Sequence, residues 1–497
     1  MTHGGEALRE LVRGCTFDDF LFAPQLSVLE RRDPARIDLS SRLSRRITLK
    51  RPIVSANMDT VTRAAMAVVQ AEEGGIGIID RGFRAGDIAP QVQEAQTVKR
   101  TQHGVIPDPY TIAPDARLEE AVAVMERSGV RSLVVVDAAR RLLGLLTERD
   151  IRFVSGTVRV SERMTPRERL VVHEGPLDIA GAERVMVERK IKKLPLVDGD
   201  GRLAGLITAR DILVHKQHPF ATRDAQGRLR VGAAIGAKGD YLERAAELLR
   251  TGVDVIVIDI AHGHSTVMAA AVEAFRARFG DAELVAGNVG TAEGARFLAE
   301  RGVDGVKVGI GPGGGCTTRI TTSFGVPQLQ ALVECRLAVG DDVPLVADGG
   351  IARDGALVQA LACADTAMLG SVFAGTLETP GEVVQKPVVL TETQRTVRVP
   401  FKVLRGMASI GAIKDRLDLE DAEQVDVEAL GAEGLEVSVP VRGSVRPVIQ
   451  DMIRHLCSSV SYAGARSLGE LRALFWKDPG RYLIKLSAAA RRESYER

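Results

Sequence analysis

The sequence predicts an α/β protein, a (β/α)₈ barrel whose chain is interrupted by a smaller, internally repeated unit. Three observations predict it. Short apolar runs of strand length alternate with helical runs through most of the 497 residues. Nearly every apolar run ends in a glycine-rich or polar tip, as strands do where a TIM barrel builds its active site. A segment near residue 130 recurs once, 61 residues later, and belongs to neither pattern.

In chain order, RPIVSANMDT (51–60) and GIGIIDRG (75–82) read as the first two barrel strands. After residue 228 come VDVIVIDIAHG (253–263), ELVAGNVG (283–290), GVKVGIGPGGG (305–315), VPLVADGGI (343–351) and ADTAMLGS (364–371). Stretches such as YLERAAELLRTG and AEGARFLAERG lie between them and have helical periodicity. Two early strands and at least five late ones point to a closed barrel of eight. An open doubly wound sheet is the competing arrangement.

The repeat aligns VRSLVVVDAARRLLGLLTERDI (130–151) with IKKLPLVDGDGRLAGLITARDI (191–212) without a gap. Leu133, Asp137, Gly144, Thr147, Arg149 and Asp150 recur as Leu194, Asp198, Gly205, Thr208, Arg210 and Asp211. Amphipathic helices are predicted at the same offset upstream, at 118–127 and 179–188. Two copies are too few for a solenoid, so a pseudo-symmetric pair is expected. The domains expected are 1–105 for the first part of the barrel, 106–219 for the paired unit and 220–497 for the rest of the barrel.

Composition narrows the partners. Lys plus Arg number 66 and Asp plus Glu 65, a net charge of +1, so neither nucleic acid nor an anionic membrane is expected as a partner. No secretory h-region and no apolar run long enough to span a bilayer is present. The five cysteines (15, 316, 335, 363 and 457) are scattered and form no CxxC pair, which fits a reducing, cytoplasmic setting.

GIGPGGGCTTR (309–319) is the densest chemical signal. So many glycines weaken a core and suit a backbone that faces a ligand, an anion or a cation. Cys316 at the tip of this loop, with Arg319 nearby, is the candidate nucleophile. Cys335 and Cys363 fall in helical runs and are expected to be buried. The glycines of VADGGI and LGS follow late strands, where barrels often hold phosphate, and Asp348 can accept from sugar hydroxyls. His262 and His264 lack a companion ligand set for a metal. Asp259, just before them, is the better polar contact.

Ten segments carry a resemblance over nearly the whole chain: TFDDFLFAP, SANMDTVT, EGGIGII, GRLRVGAAIG, AGNVGTAEGA, VKVGIGPGGGCTTR, ADGGI, LGSVFAGTLETPGE, RGMAS and EGLEVSVPVRG. In this order they resemble the inosine monophosphate dehydrogenase and guanosine monophosphate reductase family. The repeat resembles the tandem CBS (cystathionine-β-synthase-type, or Bateman) domain inserted in that family's barrel. The resemblance implies that Cys316 attacks C2 of a purine mononucleotide. It implies that Gly311, Gly313 and Cys316 offer carbonyls to K⁺, and that Asp348 holds the ribose. Gly350, Gly370 and Ser371 are implied for the phosphate, Met407 and Glu433 for the base, and Asp259 for the nicotinamide cofactor. Thr318 and Glu378 match the pair that handles ammonia in reductases. Thr147, Asp150, Thr208 and Asp211 match positions that hold regulatory ATP or GTP in CBS modules, although capping of the following helices would use the same residues. A homotetramer, or an octamer paired through the CBS domains, is implied as well.

The two branches of the family differ in direction. A dehydrogenase oxidises IMP with NAD and then needs a base, an Arg-Tyr pair on a mobile flap, to hydrolyse its adduct. A reductase expels ammonia from GMP and uses NADPH. Here Arg416 is followed by Leu417, which has no hydroxyl. Asn57, Ala408 and SSVSYAGA also resemble the reductases, and the reductase branch is favoured. The flap length, the TFDD start and the LGS element resemble the dehydrogenases. Gly314 and Leu404 replace a serine and a tyrosine expected at the phosphate. A nucleotide sensor without catalysis is the reading from another class, and retention of Cys316, Thr318 and Glu378 argues against it.

Overall fold

The computed structural model describes residues 2–101, 104–154, 156–389, 394–417 and 431–495. The chain divides into two compact units. The first is Met1–Lys99, Phe220–Thr222 and Leu229–Arg497; the second is Arg100–Pro219 and Arg223–Arg228.

The first unit contains the closed barrel. Its strands are β1 (Ile53–Ser55), β2 (Ile76–Ile79), β3 (Gly232–Ile235), β4 (Val255–Asp259), β5 (Leu284–Val289), β6 (Gly305–Val308), β7 (Leu345–Asp348) and β8 (Thr366–Leu369). All neighbours are parallel, and β8 closes on β1 through Met368 opposite Val54. The strand absent from the sequence reading is β3. Its residues, Gly-Ala-Ala-Ile, carry little apolar bulk, yet all four are buried between β2 and β4.

Alternation along the strands sorts side chains into two layers. Val54, Ile76, Ile78, Val255, Val257, Val285, Val346 and Met368 fill the barrel interior. Leu43, Ile47 and Leu49 join them from the hairpin that pairs Ser41–Arg42 with Thr48–Leu49. Ile53, Ile79, Ile256, Ile258, Val306, Val308, Leu345 and Leu369 face outward into the layer under the helices. Full burial of each such side chain is worth about 1.5–3 kcal/mol. The helices are locally specified. Ser265 caps Thr266–Phe279 by accepting from Met268 N (3.3 Å), Thr291 caps Ala292–Ala299, and Gly252 ends Tyr241–Thr251 at φ 92°.

Between β8 and the long helix Val445–Tyr462 the chain forms an antiparallel sheet of β9 (Val384–Val389), β10 (Thr396–Arg405) and β11 (Glu436–Pro440). Buried Lys402 on β10 ties it to the barrel by donating to the carbonyls of Thr376 (3.1 Å) and Thr379 (2.6 Å). This sheet carries the RGMAS turn and the described stem of the flap, helix Ile410–Arg416.

In the second unit the two halves repeat closely. Helices Leu118–Ser128 and Ile179–Arg189 lead into strands Ser132–Val136 and Lys193–Val197, which pair with Leu142–Thr147 and Leu203–Thr208. Even the strand irregularity recurs, at Val135/Val136 and at Leu196/Val197. Thr147 and Asp150, and likewise Thr208 and Asp211, bond each other in capping boxes, with hydroxyl-to-carboxylate distances of 2.7 and 2.6 Å. No helix among the described residues is long and apolar enough to cross a membrane.

Candidate active site

The carboxyl ends of the barrel strands, the RGMAS turn and the flap stem surround a cleft of about 590 Å³. That volume suits a small-molecule ligand. Cys316, Thr318, Asp348, Gly350, Gly370, Ser371, Met407, Glu433, Asp259, Gly311 and Gly313 all line it. Residues up to 174 positions apart in the chain therefore meet at one place, as strand ends of a barrel do.

The loop after β6 is shaped by close approaches. Gly309 has φ 155°, and a Cβ there would lie 2.0 Å from the Asp348 carbonyl oxygen. Gly349 has φ 91°, and its Cβ would press on Pro312 at 2.9 Å. Only glycine allows the loops of β6 and β7 to pass so closely. Arg319 donates to the carbonyls of Ile310 and Val326, so this cation clasps the loop.

Cys316 is half-buried, whereas the other four cysteines are buried. Burial pushes the Cys363 thiol up to about 12 and raises that of Cys335 as well, leaving both unreactive. The Cys316 Sγ lies 3.1 Å from the Thr318 hydroxyl, which donates to Glu433 Oε2 at 2.6 Å. The backbone fixes this chain of groups. Thr317 N donates to the Glu433 carbonyl (2.8 Å), Leu435 N to Gly315 (2.9 Å), and Cys316 bridges to Gly434. The far end of the flap is thus stitched to the cysteine loop.

Glu378 is not part of this cluster. Its carboxylate accepts from the Ser444 hydroxyl and from Val445 N (2.8 Å), at the start of helix Val445–Tyr462. A carboxylate is favoured there by the unpaired N–H groups of the first turn. The glutamate beside Thr318 is Glu433. Asp259 lines the cleft, where Lys307 (2.8 Å) and Arg81 (3.5 Å) engage its carboxylate. Burial opposes its charge, yet these two cations outweigh burial and hold it below the usual carboxylate range.

Asp348 accepts from Lys307 (2.7 Å) and Asn288 (2.9 Å), both on Oδ2. Sequence reading missed Lys307, Asn288 and Arg81. The first had a signal, a lysine between Val306 and Val308 in a buried strand. Arg416 lines the cleft and donates to the Met407 carbonyl (2.8 Å). Burial and the like charge of Arg81 push its guanidinium down to about 10. Leu417 ends the flap helix; flap residues 418–430 lie outside the described residues. Arg405 grips Asp59 (2.7 Å) and Asp415 (2.5 Å), joining the β1 tip to the flap helix.

The family model described as IMP dehydrogenase / GMP reductase domain matches residues 14–496. Inosine-5′-monophosphate dehydrogenase of Aquifex aeolicus is 43% identical over 472 residues, covering 94% of this chain and 93% of that one. The enzyme of the same name from Nitrosopumilus maritimus is 40% identical over 469 residues, 93% and 95% of the two chains. Among solved structures, a Cys-to-Ala variant of GMP reductase from Trypanosoma brucei in complex with guanosine 5′-monophosphate superposes with a TM-score of 0.85. It is 35% identical and the match covers 97% of each chain. With its barrel, its cysteine loop and this similarity over nearly its full length, the chain belongs to the IMP dehydrogenase / GMP reductase family of nicotinamide-dependent oxidoreductases.

Proposed function

We propose that this protein is an NADPH-dependent GMP reductase, converting GMP to IMP and ammonia. The observation that carries the reading is the flap. Arg416 turns to the Met407 carbonyl, its successor is Leu417, and no tyrosine occurs anywhere in 410–435. A dehydrogenase must activate water after hydride transfer, and leucine offers no group for a proton relay. A reductase has no hydrolytic step and does not need one.

The site supports the chemistry in this direction. Cys316 Sγ adds to C2 of GMP while its proton passes through Thr318 to Glu433. Glu433 returns the proton to the leaving amine, the C2–N bond breaks, and ammonia departs, leaving the purine joined to sulfur. NADPH, when bound, would supply the hydride that replaces sulfur on C2; Cys316 leaves with the C–S electron pair as a thiolate and takes a proton from solvent before the next turnover. Asp348 Oδ1 is left for the ribose hydroxyls. The backbone at Gly350, Gly370 and Ser371 faces the phosphate, and Met407 packs on the base. Asp259 and Arg81 form the polar wall on the cofactor side.

K⁺ fits the cysteine loop. The donors are carbonyls, the Gly313 oxygen keeps a lone pair beside its bond to Cys316 N (3.0 Å), and nothing lies within 4 Å of a Cβ built at Gly314. The second unit serves as a tandem CBS domain that binds ATP or GTP near its two Thr-Asp capping boxes, within a tetramer or octamer.

IMP dehydrogenase is the second reading, favoured by relatives of that name at 40–43% identity. Function follows the site, however, and not overall likeness. A paired absorbance assay in potassium buffer decides. NADPH is expected to be consumed with GMP, with no NADH formed from IMP and NAD⁺; the reverse pattern would sink the reductase reading. Exchange of K⁺ for Na⁺ is expected to lower kcat. Added ATP or GTP is expected to shift the GMP saturation curve or the particle size, and no change in either would remove the regulatory role.

A further inference from the structure

We propose that Lys307 is a positioning residue that sets the mononucleotide side and the cofactor side of the cleft together, by holding Asp348 and Asp259 on one buried ammonium. The proposal rests on the reading of Asp348 as the ribose acceptor.

Strand alternation puts it there. Val306 and Val308 point outward, so Lys307 points into the barrel, above an interior that is otherwise apolar. Its side chain is 3% exposed. A lysine in such a place is costly unless it is paired. Its Nζ lies 2.8 Å from Asp259 Oδ1 and 2.7 Å from Asp348 Oδ2, so it spans from the end of β4 to the end of β7. Burial disfavours the ammonium, but the two carboxylates outweigh it and hold the group above the usual lysine range.

The remaining partners are unequal. Asp259 keeps Arg81 and the Asn57 side chain if the lysine is removed, and Arg416 lies close enough to act on it. Among the described residues, the Asp348 carboxylate keeps only the neutral Asn288 amide. Asn288 itself is tied to the Gly309 carbonyl (2.8 Å), so the ribose acceptor and the root of the cysteine loop share one frame. Loss of Lys307 therefore loosens both carboxylates, and Asp348 more.

The test is Lys307→Met in the full-length enzyme, assayed as GMP reductase with both KM values measured. The KM for GMP is expected to rise about 10–100-fold, the range of a lost charge-assisted hydrogen bond. The KM for NADPH should rise by a smaller factor, with kcat falling less than about threefold. Asp348→Asn should raise only the KM for GMP, and Asp259→Asn only that for NADPH. In the double variant Lys307→Met/Asp348→Asn, the lysine change should add almost nothing to the KM for GMP. That variant also lacks the unpaired buried carboxylate, so it is the one to use if Lys307→Met alone fails to fold. A kcat loss at unchanged KM values, or full additivity in the double variant, overturns the proposal. If Asp348→Asn binds GMP normally by calorimetry, the ribose assignment falls and the proposal falls with it. If Asp348→Asn weakens GMP and Lys307→Met does not, the proposal alone fails.

Discussion

Replacing Cys316 by alanine is expected to abolish turnover, lowering kcat by about 10⁴-fold or more, the scale seen when a nucleophile is removed from an enzyme. Binding of GMP should stay within a few-fold, because the contacts assigned to ribose, phosphate and base all lie on other residues. Stopped-flow absorbance and calorimetry on the same preparation measure the two quantities. The contrast with the other cysteines sharpens the test. Cys335 and Cys363 are fully buried with raised thiols, so alanine there should cost stability and leave the chemistry intact. An alkylating reagent should label Cys316 first, and GMP should protect it. If Cys316→Ala kept even a tenth of wild-type turnover, covalent catalysis through this sulfur would be excluded.

The residues that can be read from sequence and those that cannot differ for a physical reason. The strands with long apolar runs, such as Val255–Asp259, are visible because burial on both faces leaves a compositional mark. Gly232–Ile235 has the same burial, but two alanines and a glycine leave a faint one. The cysteine loop is visible because its glycines have no other use. Glu378 marks the limit of local pattern. It lies 60 residues beyond Thr318 and Glu433 lies 115 beyond, and no local pattern says which carboxylate returns to the loop. The return is made by β10 and β11, whose pairing of Leu404 with Val437 delivers residues 433–435 to the cysteine loop. Such long-range pairing is set by tertiary structure. Lys307 was missed for a simpler reason. A single charged residue in an apolar strand marks a buried partner, but the two partners, Asp259 and Asp348, sit on other strands.

Glu433→Gln tests the use made of that return. Gln keeps the shape and can still accept from the Thr318 hydroxyl, so the 2.6 Å contact survives while the capacity to take up a proton is lost. With GMP and NADPH, kcat is expected to fall by about 10²–10⁴-fold, the range for a general acid–base group, with the KM for GMP little changed. The half-reactions separate this from a general loss of structure. In the proposed reductase reaction, departure of the amine needs the proton that Glu433 carries; movement of a hydride to or from C2 does not. In alkaline buffer, where a thiol ionises without a base, the variant should therefore still form the sulfur-linked purine from IMP and NADP⁺ in a single turnover, at close to the wild-type rate. If both half-reactions slowed equally, Glu433 would be a support for the cysteine loop through its backbone. Thr318→Val, which removes the hydroxyl between Cys316 and Glu433, should reproduce the amine-specific defect, since among the described residues the carboxylate reaches the sulfur through the 3.1 Å and 2.6 Å contacts that Thr318 makes.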